Sequence, residues 1–102
     1  MSWKTLAGTK LKELRFVFCQ VSDRSLGARN FIATHYLDVK KSSPNLPFIV
    51  RECEGADALV IARYRFGVEK KEYVSGMTQD EIEALVTDLV NRSDNINSSI
   101  ED

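Results

Sequence analysis

The chain has 102 residues, 43% hydrophobic and 28% charged, and its net charge of −1 divides into +6 for residues 1–51 and −7 for residues 52–102. This length suits one domain with one core, and the composition excludes collagen-like and wholly disordered chains. The near-neutral net charge disfavours a nucleic-acid binder, which normally has an excess of basic residues. No apolar run approaches the roughly 18 residues of a membrane span, and two cysteines are too few for a secreted scaffold held together by disulfides.

The first half of the chain predicts a strand, a helix and a second strand. Residues 12–18 alternate in polarity and are rich in aromatic and β-branched side chains, which is typical of a strand with a central position in a sheet. Apolar side chains then recur every three or four residues over 28–39, which predicts a helix, and the polar segment 22–25 offers its N-cap. Residues 46–51 form a short apolar strand, with Pro47 expected at its first residue because proline lacks an amide hydrogen.

The second half predicts two strands and a closing helix. Residues 58–65 and 70–74 are close in sequence, and we expect them to pair as a hairpin. Thr78 and Glu81 have the spacing of a capping box, in which each side chain binds the other residue's backbone amide. The apolar period over residues 82–90 completes the strongest helix signal in the chain.

These elements predict an α/β fold in which helices pack on a four-stranded mixed sheet. The first strand–helix–strand unit is long enough for a parallel crossover, and a strand–strand–helix unit follows it. We predict an N-terminal extension over residues 1–10, the domain over residues 11–92 and a flexible tail over residues 93–102, where Asn, Ser and Asp leave little to bury.

Few side chains have a pattern that suggests catalysis. His35 is the single histidine, which excludes a metal site of several histidines. It falls on the apolar stripe of the first predicted helix, where packing with one hydrogen bond is its expected role. The sequence contains neither a glycine-rich phosphate loop nor a G-x-S-x-G elbow. We therefore predict no catalytic residue, no metal ligand and no cofactor.

The two cysteines end the first two predicted strands. If those strands are parallel neighbours, Cys19 and Cys53 lie at the same sheet edge, close enough for a disulfide. Cys19 also opens a C-x-x-S motif before a helix, a position where the helix dipole lowers the pKa of a thiol. Three roles stay open: small buried hydrophobic residues, a reversible disulfide, and single-thiol redox catalysis.

Three arginines are candidates for binding a partner. Arg51, Arg63 and Arg65 lie on or beside predicted strands and have apolar neighbours. Arginine makes planar, bidentate contacts at protein interfaces, so a partner surface is one role. Intramolecular pairing with Glu52, Glu54 or Glu72 is the other role.

The order of elements, with a cysteine at the first strand–helix junction, resembles the thioredoxin fold. Three features depart from the enzymes of that fold. The segment between the second and third predicted strands has no room for the helix normally placed there. Ser22 stands at the second cysteine of C-x-x-C, and residues 52–58 lack the proline that borders the substrate groove. The resemblance therefore implies the fold without the oxidoreductase activity.

A closer resemblance covers about residues 10–90. Its motifs are Leu14-Arg15-Phe16, Cys19-Gln20-x-Ser22, Arg29-x-Phe31-Ile32, Asn45-Leu46-Pro47, Ile49-Val50-Arg51-Glu52-Cys53 and Ala62-Arg63-Tyr64-x-Phe66-Gly67. With these motifs the chain resembles the thioredoxin-like accessory subunits of mitochondrial respiratory complex I, the alpha subcomplex subunit 2 family of NADH:ubiquinone oxidoreductase. The run over residues 44–67 is the most specific part.

This resemblance implies a non-catalytic structural or assembly subunit in the matrix arm, peripheral to the mitochondrial inner membrane on its matrix side. The implied partners are other matrix-arm subunits, foremost the large iron–sulfur subunit, with no nucleic acid and no membrane span. The positions of Cys19 and Cys53 are carried over as a possible disulfide. The alternative is a mitochondrial ribosomal protein of the same domain family, although such proteins need cationic surface for phosphates and this chain has a pI of about 5.8. A single-thiol redox protein is the third reading.

Overall fold

The computed structural model describes residues 2–93 as seven helices and strands. In chain order they are α1 (Trp3–Lys10), β1 (Glu13–Phe18), α2 (Leu26–Ser42), β2 (Phe48–Glu52), β3 (Leu59–Arg63), β4 (Glu69–Tyr73) and α3 (Gln79–Asn91). Short 3-10 turns at Asp23–Ser25 and Arg65–Gly67 lead into α2 and connect β3 to β4. The order from β1 to α3 is the one that the sequence predicts.

The four strands form one mixed sheet in the order β2-β1-β3-β4. Strand β1 runs parallel to β2, with Leu14 opposite Phe48, and antiparallel to β3, with Leu14 opposite Ala62. Strands β3 and β4 pair as the expected antiparallel hairpin. The predicted mixed sheet, its parallel crossover and the central position of β1 are confirmed.

All three helices contact one another, and their buried residues share one core with the inward residues of the strands, so they form a single layer on one face of the sheet. The alternation of β1 directs Leu14, Phe16 and Phe18 into the core below that layer. The ring of Phe16 stacks on Phe31 of α2 at 5.2 Å, and Phe31 stacks on Trp3 of α1 at 5.8 Å between ring centroids. Aromatic contacts thus connect the sheet to two of the three helices.

Helix α1 is an element that the sequence does not predict. Its apolar period is too short to be recognised, yet Trp3 is only 8% exposed and Ala7 is fully buried. The indole N–H of Trp3 donates to Glu83 Oε2 of α3 at 3.1 Å, and the Gly8 amide donates to Ser43 Oγ at 2.9 Å. Tertiary contacts hold this helix, so part of the predicted N-terminal extension packs into the same core as residues 11–92.

Helix α3 begins as predicted. Thr78 Oγ1 accepts from the Glu81 amide at 3.2 Å, and Glu81 Oε1 accepts from the Thr78 amide at 3.0 Å, which completes the capping box. The Thr78 contacts lower the pKa of the Glu81 carboxyl. Of the predicted tail over residues 93–102, Ser93 is buried and the remaining residues lie outside the described part of the chain.

Candidate functional site

The two cysteines lie at one edge of the sheet, where the parallel strands β1 and β2 end. Each cysteine directly follows its strand, and the Cys53 amide donates to the Phe18 carbonyl at 2.9 Å. Cys19 and Cys53 line the same pocket of about 390 Å3, together with side chains from residues 20, 21, 52 and 54. The parallel pairing therefore brings together the two residues that the sequence singles out.

The loop that carries Cys19 is held by side chains from the start of α2. Arg29 Nη1 donates to the Cys19 carbonyl at 3.2 Å and to the Ser22 carbonyl at 2.7 Å. Ser25 Oγ accepts from the Cys19 amide at 3.1 Å, so Ser25 does not cap α2, whereas Ser22 Oγ caps the preceding 3-10 turn by accepting from Arg24. These positioning roles were not predicted from the sequence. The one signal for them was Arg29, which lies on the predicted helix soon after the C-x-x-S motif.

The surroundings of Cys19 lower the pKa of its thiol. Backbone amides, that of Val21 first and then that of Gly55, lower its pKa from the ordinary value and outweigh the opposing effect of burial. Cys19 is 3% exposed, Cys53 is half-buried, and both are free thiols. The thiolate is the nucleophile in disulfide exchange, so the lowered pKa of the Cys19 thiol favours such an exchange, whereas its burial restricts the approach of a reagent.

The surroundings of Cys19 differ from a thioredoxin groove. Ser22 occupies the place of a resolving cysteine, and residues 2–93 contain no cis peptide bond. In the same part of the chain no three His, Cys, Asp or Glu side chains are arranged to hold a metal ion. None of its helices has the length and apolar character needed to cross a membrane.

His35 packs in the core, as the sequence predicts. It is 8% exposed, and its ring lies 4.8 Å from that of Phe31. The expected hydrogen bond does not form, since neither ring nitrogen has a hydrogen-bond partner between residues 2 and 93, and the nearest carboxylate, Glu83, lies 3.7 Å from Nε2. Burial, followed by the charge of Lys4, lowers the pKa of His35.

The three candidate arginines have different surroundings. Arg63 pairs with Glu69 across the hairpin at 2.8 Å, which raises its pKa. The pairing is intramolecular, but Glu69 is not among the glutamates expected from the sequence. Arg65 stacks over the ring of Phe66, 5.1 Å from its centroid. The side chain of Arg51 is exposed and makes no ion pair or hydrogen bond with any residue of the described chain. Arg51 is therefore the most available of the three for a partner.

Comparison with known proteins identifies the family. Residues 28–79 match the family model described as "Mitochondrial ribosomal protein L51 / S25 / CI-B8 domain". The chain is 37% identical over 90 residues to the NADH dehydrogenase (ubiquinone) 1 alpha subcomplex subunit 2 of Arabidopsis thaliana, covering 88% of this chain and 93% of that protein. It is also 37% identical over 90 residues to the NADH-ubiquinone oxidoreductase 10.5 kDa subunit of Neurospora crassa, covering 88% of this chain and 96% of that protein.

A mammalian relative gives the same result. The chain is 42% identical over 72 residues to the alpha subcomplex subunit 2 of Mus musculus, covering 71% of this chain and 73% of that protein. Fold and site define a small mixed α/β domain with two cysteines at one sheet edge. The chain belongs to the family of NADH dehydrogenase (ubiquinone) 1 alpha subcomplex subunit 2. The resemblance in the sequence is confirmed, and with it the prediction of a non-catalytic accessory subunit of the respiratory complex.

Proposed function

We propose that this chain is an accessory subunit in the matrix arm of mitochondrial NADH:ubiquinone oxidoreductase, peripheral to the inner membrane on its matrix side. The observation that carries the proposal is an identity of 37% that extends over 88% of this chain and over 93% and 96% of two relatives. Its role is to bind other subunits of that arm, foremost the large iron–sulfur subunit, and to support their assembly.

We propose further that the domain is thioredoxin-like. The support is the parallel β1–α2–β2 unit followed by the β3–β4 hairpin and α3, with Cys19 at the first strand–helix junction. In this proposal the fold serves as a scaffold and not as a thioredoxin-type enzyme, because Ser22 stands at the second cysteine of C-x-x-C and residues 52–58 lack the proline that borders the protein-substrate groove of those enzymes.

The test of the proposed assembly is a native gel of mitochondrial membranes, immunoblotted for this chain. We expect the chain to co-migrate with NADH dehydrogenase activity and, after mild dissociation of the complex, to stay with the fragment that carries the flavin and iron–sulfur subunits. Recovery with the membrane-embedded fragment would overturn the matrix-arm placement.

The second candidate function is that of a mitochondrial ribosomal protein, which the description of the matched domain favours. Ribosomal RNA binding requires cationic surface that neutralises phosphates, whereas this chain has a net charge of −1. Sedimentation of the same extract through a sucrose gradient distinguishes the two functions. Co-sedimentation with ribosomal subunits, without NADH dehydrogenase activity, would overturn the proposal of a respiratory subunit.

We also propose that Cys19 and Cys53 form a reversible disulfide. Their shared pocket and the hydrogen bond between β1 and Cys53 support it. In the exchange, the Cys19 thiolate attacks one sulfur of glutathione disulfide and releases glutathione thiolate. The Cys53 sulfur then attacks the mixed disulfide, loses its proton to water and releases the second glutathione. Two thiols are oxidised and one glutathione disulfide is reduced.

A further inference from the structure

The face of the sheet opposite the helix layer carries apolar side chains that residues 2–93 cover only in part. The alternation of β1 and the pairing registers place one set of aliphatic side chains together on that face. The set comprises Val17, Ile49, Leu59 and Ile61. All four are half-buried, and none belongs to the core or packs against it.

Arginine and tyrosine side chains continue these apolar rows. Arg15 stands between Ile49 and Ile61 in one row. In the next row, Val17 and Leu59 lie between Arg51 on β2 and Tyr73 on β4, and Tyr73 is 62% exposed. An aliphatic centre with Arg and Tyr around it is the composition found in the centre of protein interfaces.

The charge of this face is positive after its internal pairs are considered. Glu13 accepts from Arg15 at 3.2 Å, and Glu69 accepts from Arg63 at 2.8 Å. Two cations of the face, Arg51 and Lys71, then have no ion pair with any residue between 2 and 93. The buried Nε of Arg15 also lacks a hydrogen-bond acceptor there. A complementary surface would therefore supply carboxylates or other acceptors around an apolar centre.

The size of the face indicates which kind of partner it suits. Four strands of about five residues, spaced by about 4.8 Å, give a face of roughly 300 Å2. A stable two-protein complex buries about 800 Å2 on each side, so this face is too small to hold a second copy of the chain by itself. It suits one of several contacts within a large assembly.

We propose that this open face, formed by the outward side chains of β1 to β4, docks on another subunit of the respiratory complex. The docking surface of that subunit presents aliphatic side chains surrounded by carboxylates, which pair with Arg51 and Lys71. The inference rests on the proposed function, because that function supplies the assembly in which the partner is found.

Site-specific photo-crosslinking in mitochondria tests the position of the partner. A benzoylphenylalanine residue replaces Tyr73 on the open face or, as the matched control, Thr34, which is exposed on α2. After irradiation, the band with NADH dehydrogenase activity is excised, and the crosslinked partner is identified by mass spectrometry. We expect a crosslink to another subunit from position 73 and little or none from position 34.

A charge reversal tests the proposed pairing. Arg51→Glu changes the charge of the open face, and Lys41→Glu makes the same change on exposed α2. Reversing a charge that pairs across an interface lowers the affinity about tenfold or more. We therefore expect about tenfold less Arg51→Glu protein than wild-type protein in the complex after a salt wash. The Lys41→Glu variant should be retained like the wild type, and circular dichroism checks that both variants fold.

The outcomes separate this inference from the proposed function. If wild-type protein is absent from the complex, the proposed function fails, and the docking inference fails with it. If wild-type protein is present, the docking inference alone is overturned by normal retention of Arg51→Glu, by the lack of a crosslink from position 73, or by a crosslink to a second copy.

Discussion

At the scale of single residues, the proposed disulfide between Cys19 and Cys53 has a measurable consequence. Oxidation closes a loop of about 34 residues, which should raise the free energy of unfolding by roughly 3–4 kcal/mol in the chain-entropy model, less any strain. The measurement is mass spectrometry of a non-reduced digest after treatment with glutathione disulfide, together with urea unfolding of both redox forms. A digest that lacks the peptide joining the two cysteines would contradict the pairing.

Two controls accompany the disulfide measurement. The Cys53→Ser variant should stop at the mixed disulfide between Cys19 and glutathione, because the second thiol is missing. Neither the reduced nor the oxidised wild-type protein should reduce insulin at a rate near that of thioredoxin, since Ser22 stands at the second cysteine of C-x-x-C.

The Cys53→Ser variant also tests the electrostatics of Cys19. The rate of Cys19 alkylation should have its pH midpoint at a lower pH in the native protein than in guanidinium, because the folded backbone lowers the pKa of the thiol.

His35 should make stability depend on pH. Burial lowers the pKa of the folded imidazole below its unfolded value of about 6.5, so the unfolded chain binds a proton first as the pH falls. The stabilisation is therefore fully present above about pH 6.5 and is lost as the pH falls through the folded pKa. Between pH 7.5 and 5, the free energy of unfolding in urea should fall more steeply for the wild type than for His35→Phe, which keeps the ring contacts. Equal slopes would exclude His35 as the source of the pH dependence.

At the scale of elements, α3 allows a paired test of packing. Leu89 is fully buried, whereas Leu85 is half-buried at the side of the apolar stripe, a difference that the helical period does not reveal. Leu89→Ala should lower the free energy of unfolding by roughly 2–5 kcal/mol, because a cavity adds to the lost burial. Leu85→Ala should cost less, and an equal or larger loss at Leu85 would contradict this packing. Denaturant unfolding of both variants provides the comparison.

The sequence predicts an element well when the information that determines it is local. The capping box at Thr78 and Glu81 and the apolar period after it lie within one helix, so α3 could be predicted from its own residues. Helix α1 could not, because its stability comes from contacts of Trp3 with α2 and α3, distant in sequence. Local patterns do not contain such contacts.

The candidate site was predictable to a similar extent. The shared edge of Cys19 and Cys53 follows from strand ends and parallel pairing, both of which the sequence predicts. The open sheet face was not predicted, since apolar residues on both sides of β1 are also typical of a strand covered on both faces. Only the position of all three helices on one side shows that Val17 and Ile61 are left partly exposed by residues 2–93.

At the scale of the whole molecule, the single tryptophan reports whether α1 unfolds with the domain. Trp3 stacks on Phe31 and donates to Glu83, so its environment depends on α1, α2 and α3 together. If residues 2–93 form one cooperative unit, tryptophan fluorescence and far-ultraviolet circular dichroism should have the same urea midpoint and slope. A Trp3→Phe variant, followed by circular dichroism alone, controls for the loss of the indole hydrogen bond and should retain a single transition. An earlier fluorescence midpoint would contradict the single unit and support an N-terminal extension that detaches before the core unfolds.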